Sequence, residues 1–181
     1  MTLLILLSSK KTKHSIQFGS HVTINLCDLL LLPDEVICNN DRLDSMCNAM
    51  GAAGLSNMFF EEGQWTIFAP SDHAFSVAPD EFLDVLQHDD VDLLANYLLY
   101  HTSDIGAFRQ NDLPCVAGQN LIRMANGMSS RTLCDGRPSV PMYQTGAGNN
   151  DENLPKFVEF DLEACTGVVH IIDEVMMYKD V

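Results

Sequence analysis

The chain has 181 residues, 46% of them apolar, and a formal net charge of -15 from 25 acidic and 10 basic side chains. That length and apolar fraction suffice for one ordinary domain with a sizeable core, while no run approaches the roughly 18 apolar residues of a membrane-spanning helix. A field of this sign repels phosphate backbones, which argues against a nucleic-acid partner and favours cationic partners, divalent ions or simple solubility.

The charge is uneven. Residues 1–33 hold three lysines and one aspartate, net +2, so the remaining 148 residues carry net -17. The opening "MTLLILLSSKKTK" sets its apolar run before its lysines, the reverse of a secretory signal, and "LCDLLLLP" is a second short apolar run. Residues 1–33 are therefore expected to be a loosely defined arm, a locally packed extension, or a start other than the natural one. Six cysteines (Cys27, Cys38, Cys47, Cys115, Cys134, Cys165) are scattered without any CxxC pair, so zinc is not indicated. Their even number favours disulfides and an oxidising compartment, with reduced buried thiols as the alternative. No Asn-x-Ser/Thr sequon occurs.

In chain order, Leu43, Met46, Cys47 and Met50 follow the i, i+3, i+4, i+7 spacing of one helix face, with Gly51 and Gly54 as stop signals. Cys38, just upstream, is placed to fold back onto Cys47. "LSNMFF" reads as a short helical or turn segment and "EEGQ" as a turn. "WTIFA" is a short buried strand. Pro70 lacks an N–H and ends the ladder, Ser71 is a good N-cap, Asp72 complements the positive helix end, and Ala74 and Phe75 turn inward. "PDEFLDVLQH" forms a second helix with Phe82, Val85 and Leu86 on one side. "DDVDLLANYLLYHT" forms a third. Asp89 and Asp90 suit its first turn, and Val91, Leu94, Ala95 and Leu98 make a stripe that Leu93, Tyr97 and Tyr100 widen towards deep burial.

After Thr102 the pattern changes. "NLIRMANGMSSRTLC" reads as two strands around Asn126-Gly127, flanked by Cys115 and Cys134, which are close enough in this arrangement to be bridged. "TGAGNNDENLP" is a polar loop, "KFVEFDLEA" an alternating strand, and "TGVVHIIDEVMMY" an almost continuous apolar strand suited to the middle of a sheet. Helices in the first half and strands in the second predict an α+β fold rather than a wound parallel sheet.

These segments resemble a known family. "TIFAPSDHAF" is similar to the first signature block of fasciclin (FAS1) domains, "GVVHIIDEVMM" about 100 residues later to the second, and "YLLYHT" between them to the family's Tyr-His segment. The resemblance covers roughly residues 34–178, leaving 1–33 and the tail 179–181 outside it. His73 stands where the family is often acidic or polar, and no proline closes the second block after Met177. The resemblance implies a β-wedge or sandwich with several short helices packed against it. It assigns structural roles to Thr66, Phe68, Ala69, Pro70, Ser71, Asp72 and Phe75 in the first block and to Gly167, His170 and Asp173 in the second. For function it implies extracellular adhesion through proteins or glycans, without catalysis. Tyr100 and His101, flanked by Leu98, Leu99 and Thr102, carry the proposed receptor-binding motif, and Ile171 to Glu174 a second recognition stretch. The apolar character of the whole helix favours the other reading of Tyr100 and His101, a buried, hydrogen-bonded pair at a packed helix end.

Other constellations carry less chemistry. His170 and Asp173 sit three apart in a strand, on opposite faces, which makes a poor catalytic pair; Asp173 and Thr66 are expected to satisfy backbone groups where the signature strands run together. "NNDEN" (Asn149 to Asn153) has calcium-like oxygens without EF-hand spacing, so a solvated loop is expected. His14, His21, His73 and His88 are scattered, and neither a serine elbow, a Cys–His motif nor a phosphate-binding glycine loop is present. The expected function is an extracellular or cell-surface module that binds matrix or cell-surface proteins or glycans, with weak self-association as its route to avidity and no cofactor. Its disulfides are expected as Cys38–Cys47 and Cys115–Cys134, with Cys27 and Cys165 left as a third pair. No hydrophobic tail after Val181 signals a lipid anchor. The alternatives are a small-ligand or metal-binding protein, enzymatic or not, on the same scaffold, and a wall-structural protein with no discrete site.

Overall fold

A computed structural model describes residues 15–18, 22–25, 27, 29–60, 63–88, 90–116, 118–136 and 139–179. Strands β1 (Ser15–Phe18) and β2 (Val22–Asn25) pair as an antiparallel hairpin. Next come helices α1 (Pro33–Cys38) and α2 (Asp44–Ala52), with a 3-10 turn at Met58–Phe60. Strand β3 (Trp65–Pro70) leads into α3 (Asp72–Ser76), α4 (Asp80–Gln87) and α5 (Val91–Tyr100). The strands β4 (Thr102–Ser103), β5 (Leu121–Arg123), β6 (Ser129–Asp135), β7 (Val140–Thr145), β8 (Phe157–Ala164) and β9 (Gly167–Ile172) complete the chain. The fold is α+β.

The principal sheet has the order β4-β3-β9-β8 and a second sheet the order β5-β6-β7. At the centre of the principal sheet β3 and β9 run parallel, from Trp65 opposite Gly167 to Pro70 opposite Ile172; every other pairing is antiparallel. The two sheets approach through a bridge between Tyr143 and Lys156. β3 and β9 are apolar on both faces because they are covered on both, and all of Thr66–Pro70 and Val168–Ile172 are buried. Helix α1 packs on β8 and β9, while α2 lies against α3 and α5.

The corner after β3 has a local cause. Pro70 is the last strand residue, Ser71 donates its N–H to Ile172 O, and the Ser71 hydroxyl accepts the Ala74 amide at 3.2 Å as the N-cap of α3. Asp72 then reaches sideways and accepts the Ser45 amide at 2.7 Å, joining the starts of α2 and α3. Phe75 stacks edge-on to Phe82, which does the same to Tyr97, so three helices share one aromatic column.

Several expectations need correction. Val91 and Leu93 lie outside the buried stripe of α5, 50% and 37% exposed, because they occupy its first turn, beyond the covering elements. The last strand stops at Ile172, although Val175 to Tyr178 remain buried; the apolar run continues as an irregular internal segment. β7 adds a strand to those expected; its Pro141, which has no N–H for a ladder, is tolerated opposite Cys134, where the register shifts. The regular alternation expected of "KFVEFDLEA" is broken by two register shifts in β8. The "EEGQ" turn lies partly, and Asp89, His14 and His21 lie wholly, outside the described residues.

Candidate functional site

Helix α5 ends in the Tyr-His segment. Leu98, Tyr100 and His101 are buried and Leu99 is half-buried, so the first three present no surface to a partner. Tyr100 and His101 do not bond to each other; each holds a different piece of backbone. The Tyr100 hydroxyl donates to Ser129 O at 3.0 Å, tying α5 to the start of β6, and burial pushes this phenol above its ordinary range. His101 Nδ1 meets Tyr97 O at 2.8 Å, and His101 Nε2 accepts the Met176 amide at 2.8 Å. Because an amide is a donor, Nε2 must be the unprotonated nitrogen and Nδ1 the N–H that donates to the orphan helix carbonyl. Thr102 Oγ1 donates to Leu98 O, so two side chains finish the helix that has no further turn to do so.

Full burial outweighs the Tyr97 hydrogen bond and lowers the His101 pKa to about 4. The ring is neutral near pH 7, and protonating Nε2 would break the bond to Met176.

The residue that completes this clamp is Asn149. Its Oδ1 accepts the amides of Gly146 (3.0 Å) and Met177 (2.9 Å), and its Nδ2 donates to Asn153 O and Val175 O, both at 2.9 Å. His101 and Asn149 together supply what a neighbouring strand would have supplied to residues 175–177. The 146–153 loop also presses on this segment directly, with Gly148 donating its N–H to Met177 O at 2.7 Å. A Cβ at Gly146 would stand 2.1 Å from that same oxygen and 2.7 Å from the Tyr100 ring. Sequence reasoning took "NNDEN" for a solvated loop and missed Asn149 as an organiser. The available signal was the pair of glycines, Gly146 and Gly148, that marks a close backbone approach.

The second signature histidine has the same kind of post. His170 is fully buried among Phe68, Phe157 and Phe160, with ring centroids 5.7–5.8 Å away. Its Nδ1 accepts the Asp161 amide at 3.2 Å, so Nε2 is the N–H that donates to Phe108 O at 2.8 Å. Burial lowers its pKa against the opposing effects of the Phe108 bond and the Asp161 carboxylate. Asp161 takes φ of 60°, a left-handed conformation that aspartate tolerates better than most residues, and its Oδ1 accepts the Gln110 amide at 2.8 Å. Asp173 turns elsewhere and accepts the Lys156 amide at 2.7 Å, so His170 and Asp173 form no pair. Thr66 Oγ1 donates to Gly106 O (2.6 Å) and accepts from Phe108 N (2.8 Å). Thr66 and Asp173 thus satisfy backbone, as expected, but of the loops entering the sheet rather than of the β3–β9 seam. In the stretch Ile171 to Glu174 the isoleucines are buried and only the two acids are partly open. Burial raises the Glu174 pKa, helped by Asp173.

The cysteines are joined as Cys38–Cys47, Cys115–Cys134 and Cys27–Cys165. The third ties the segment before α1 to the β8–β9 turn, where Cys165 also donates its N–H to Leu31 O. Arg42–Glu159 and Arg109–Glu163 ion pairs cover β8, the sheet's edge. Among the described residues, no three His, Cys, Asp or Glu side chains converge as a metal would require.

The family model of the fasciclin domain matches residues 41–178. The protein sll1735 of Synechocystis sp. is 28% identical over 143 residues, 79% of this chain and 95% of that one. Protein sll1483 of the same organism is 25% identical over 148 residues, 79% of this chain and 71% of that one. The pig transforming growth factor-beta-induced protein ig-h3 is 29% identical over 170 residues; 87% of this chain is covered, but only 22% of that protein. Among solved structures, a FAS1 domain pair from the insect cell adhesion molecule Fasciclin I superposes with a TM-score of 0.58 at 13% identity, over 81% of this chain and 51% of that one, and shares the fold. With both signature strands paired at the centre of the sheet and the Tyr-His segment bracing them, the chain belongs to the fasciclin domain family.

Proposed function

We propose that this protein is a non-catalytic adhesion module of the extracellular or cell-surface space, which binds matrix or cell-surface proteins or glycans. The observation that carries the reading is the pairing of all six cysteines in three disulfides, with none left free. Such a framework persists in oxidising compartments and is rare in the cytosol. The family supports it, since the matching insect structure is that of a cell adhesion molecule. The histidines support the absence of catalysis: both ring nitrogens of His101 and of His170 are committed to the protein's own backbone, which leaves neither ring free to move a proton.

The test is the intact mass of the protein from its native source, before and after reduction and thiol labelling, together with its retention on wells coated with extracellular matrix. Six protected thiols that label only after reduction, and retention on the matrix, are expected. Six free thiols in the native protein would exclude the extracellular reading.

A further inference from the structure

Beside the His101–Asn149 clamp lies a groove of about 700 Å³. One wall is α4 and the start of α5, bringing the exposed carboxylates of Glu81, Asp84 and Asp90; the other is the 146–153 loop and residues 177–179. Two buried tyrosines, Tyr97 and Tyr178, contribute to its lining, with ring centroids 4.6 Å apart. The lining holds three carboxylates and one lysine, Lys179. The volume lies within the range of ligand sites rather than of packing defects.

We infer that this groove is the contact site for a basic peptide segment of a partner protein, with arginine or lysine side chains laid along the carboxylates of Glu81, Asp84 and Asp90; the choice of a protein partner rests on the adhesion reading. The chemistry of the lining selects this occupant. The carboxylates do not converge as a divalent cation's ligands do. Spread along a groove wall, they suit charges spaced along a chain. The apolar stems of arginine or lysine find Leu93, which is 37% exposed, among the lining residues. The net charge of -15 raises the local concentration of any such segment. Asp90 and Glu81 are already oriented, Asp90 by accepting the Leu93 amide at 3.0 Å and Glu81 by accepting the Tyr97 hydroxyl at 3.3 Å, so part of the ordering cost is met before binding.

The experiment is an NMR titration of the full chain with a short peptide of alternating arginine and serine. The double variant Glu81→Gln/Asp84→Asn is titrated alongside a control outside the groove, Asp41→Asn/Asp112→Asn. Shifts confined to the amides of Leu93, Gly148, Met177 and their neighbours are expected. So is an affinity about fivefold weaker in the groove variant and near wild type in the control. Equal weakening in both variants would reduce the effect to net charge and overturn the site. Absence of peptide binding, or binding of neutral maltohexaose at these amides in its place, would overturn it too. Adhesion to matrix-coated wells, measured on the same proteins, separates the two readings: undiminished adhesion of the groove variant removes the groove and leaves the adhesion module standing, whereas loss of wild-type adhesion removes the module itself.

Discussion

His101 Nε2 accepts the backbone N–H of Met176 at 2.8 Å across 75 residues of sequence, both groups being buried. This bond, the two that Asn149 makes to Val175 O and Met177 N, and the Gly148 N–H on Met177 O give four backbone groups of an irregular buried segment their partners. The histidine of the Tyr-His segment is therefore a strut of the fold.

Replacing His101 with alanine leaves the Met176 amide and the Tyr97 carbonyl without partners in a buried site. A loss of about 3 kcal/mol is expected, read as a lower urea midpoint at unchanged m-value.

The same residue sets a pH dependence. Its folded-state pKa of about 4 lies below the ordinary 6.5, so the unfolded chain binds the extra proton first as pH falls. The stabilisation is complete above about pH 6.5, declines through the window down to about pH 4 and is gone below it, amounting to about 3 kcal/mol. His170, shifted in the same direction, adds to the slope. Urea titrations at pH 7 and pH 4 should show the drop in the wild-type protein and a smaller one in His101→Gln; equal drops would assign the acid sensitivity elsewhere.

Asn149→Ala removes four hydrogen bonds at once and should cost about 2–4 kcal/mol. Asn149→Asp keeps the two acceptor bonds to Gly146 and Met177 but loses both donors, and should fall between alanine and wild type in thermal midpoint. If both variants matched wild type, the 146–153 loop would have another anchor.

Three glycines give a graded series. At Gly146 an added methyl meets Met177 O at 2.1 Å, and at Gly167 it meets Trp65 O at 2.4 Å; alanine at either should destabilise by about 2 kcal/mol or more. Gly51 lies within α2 with nothing inside 4 Å of its Cβ position, and Gly51→Ala should stabilise by about 0.5–1 kcal/mol. Opposite signs in chemical denaturation would confirm that backbone approach, not flexibility, fixes the first two.

The disulfides should rank by the length of chain that they close. Cys27–Cys165 spans 138 residues, Cys115–Cys134 spans 19 and Cys38–Cys47 spans 9; the chain-entropy estimate is about 5, about 3 and slightly under 3 kcal/mol in turn. Paired Cys→Ser variants, melted one pair at a time, give the order. A larger loss from the 9-residue pair than from the 138-residue pair would show that native packing at α1–α2 outweighs entropy.

Much of this was legible from the residues. The strand-to-helix corner at Pro70–Ser71, the helix face of Leu43, Met46 and Met50, and the Asn126-Gly127 hairpin follow from local rules, because a cap, a 3.6-residue period and a residue free to take positive φ are properties of a few neighbours. Gly127 does take φ of 87°. The even, scattered cysteines likewise announced a disulfide framework. The tertiary structure alone decided the remainder. Burial of Val175 to Tyr178 follows from composition, but leaving the sheet after Ile172 depends on His101 and Asn149 reaching them from 75 and 28 residues away. The left-handed turn at Asp161 depends in the same way on His170 and Gln110. Which acids meet which tyrosines in the groove depends on how α4 and α5 dock against residues 177–179. Sequence patterns report on contacts between near neighbours; these features rest on hydrogen bonds and packing between segments far apart in the chain, which only the folded arrangement brings together.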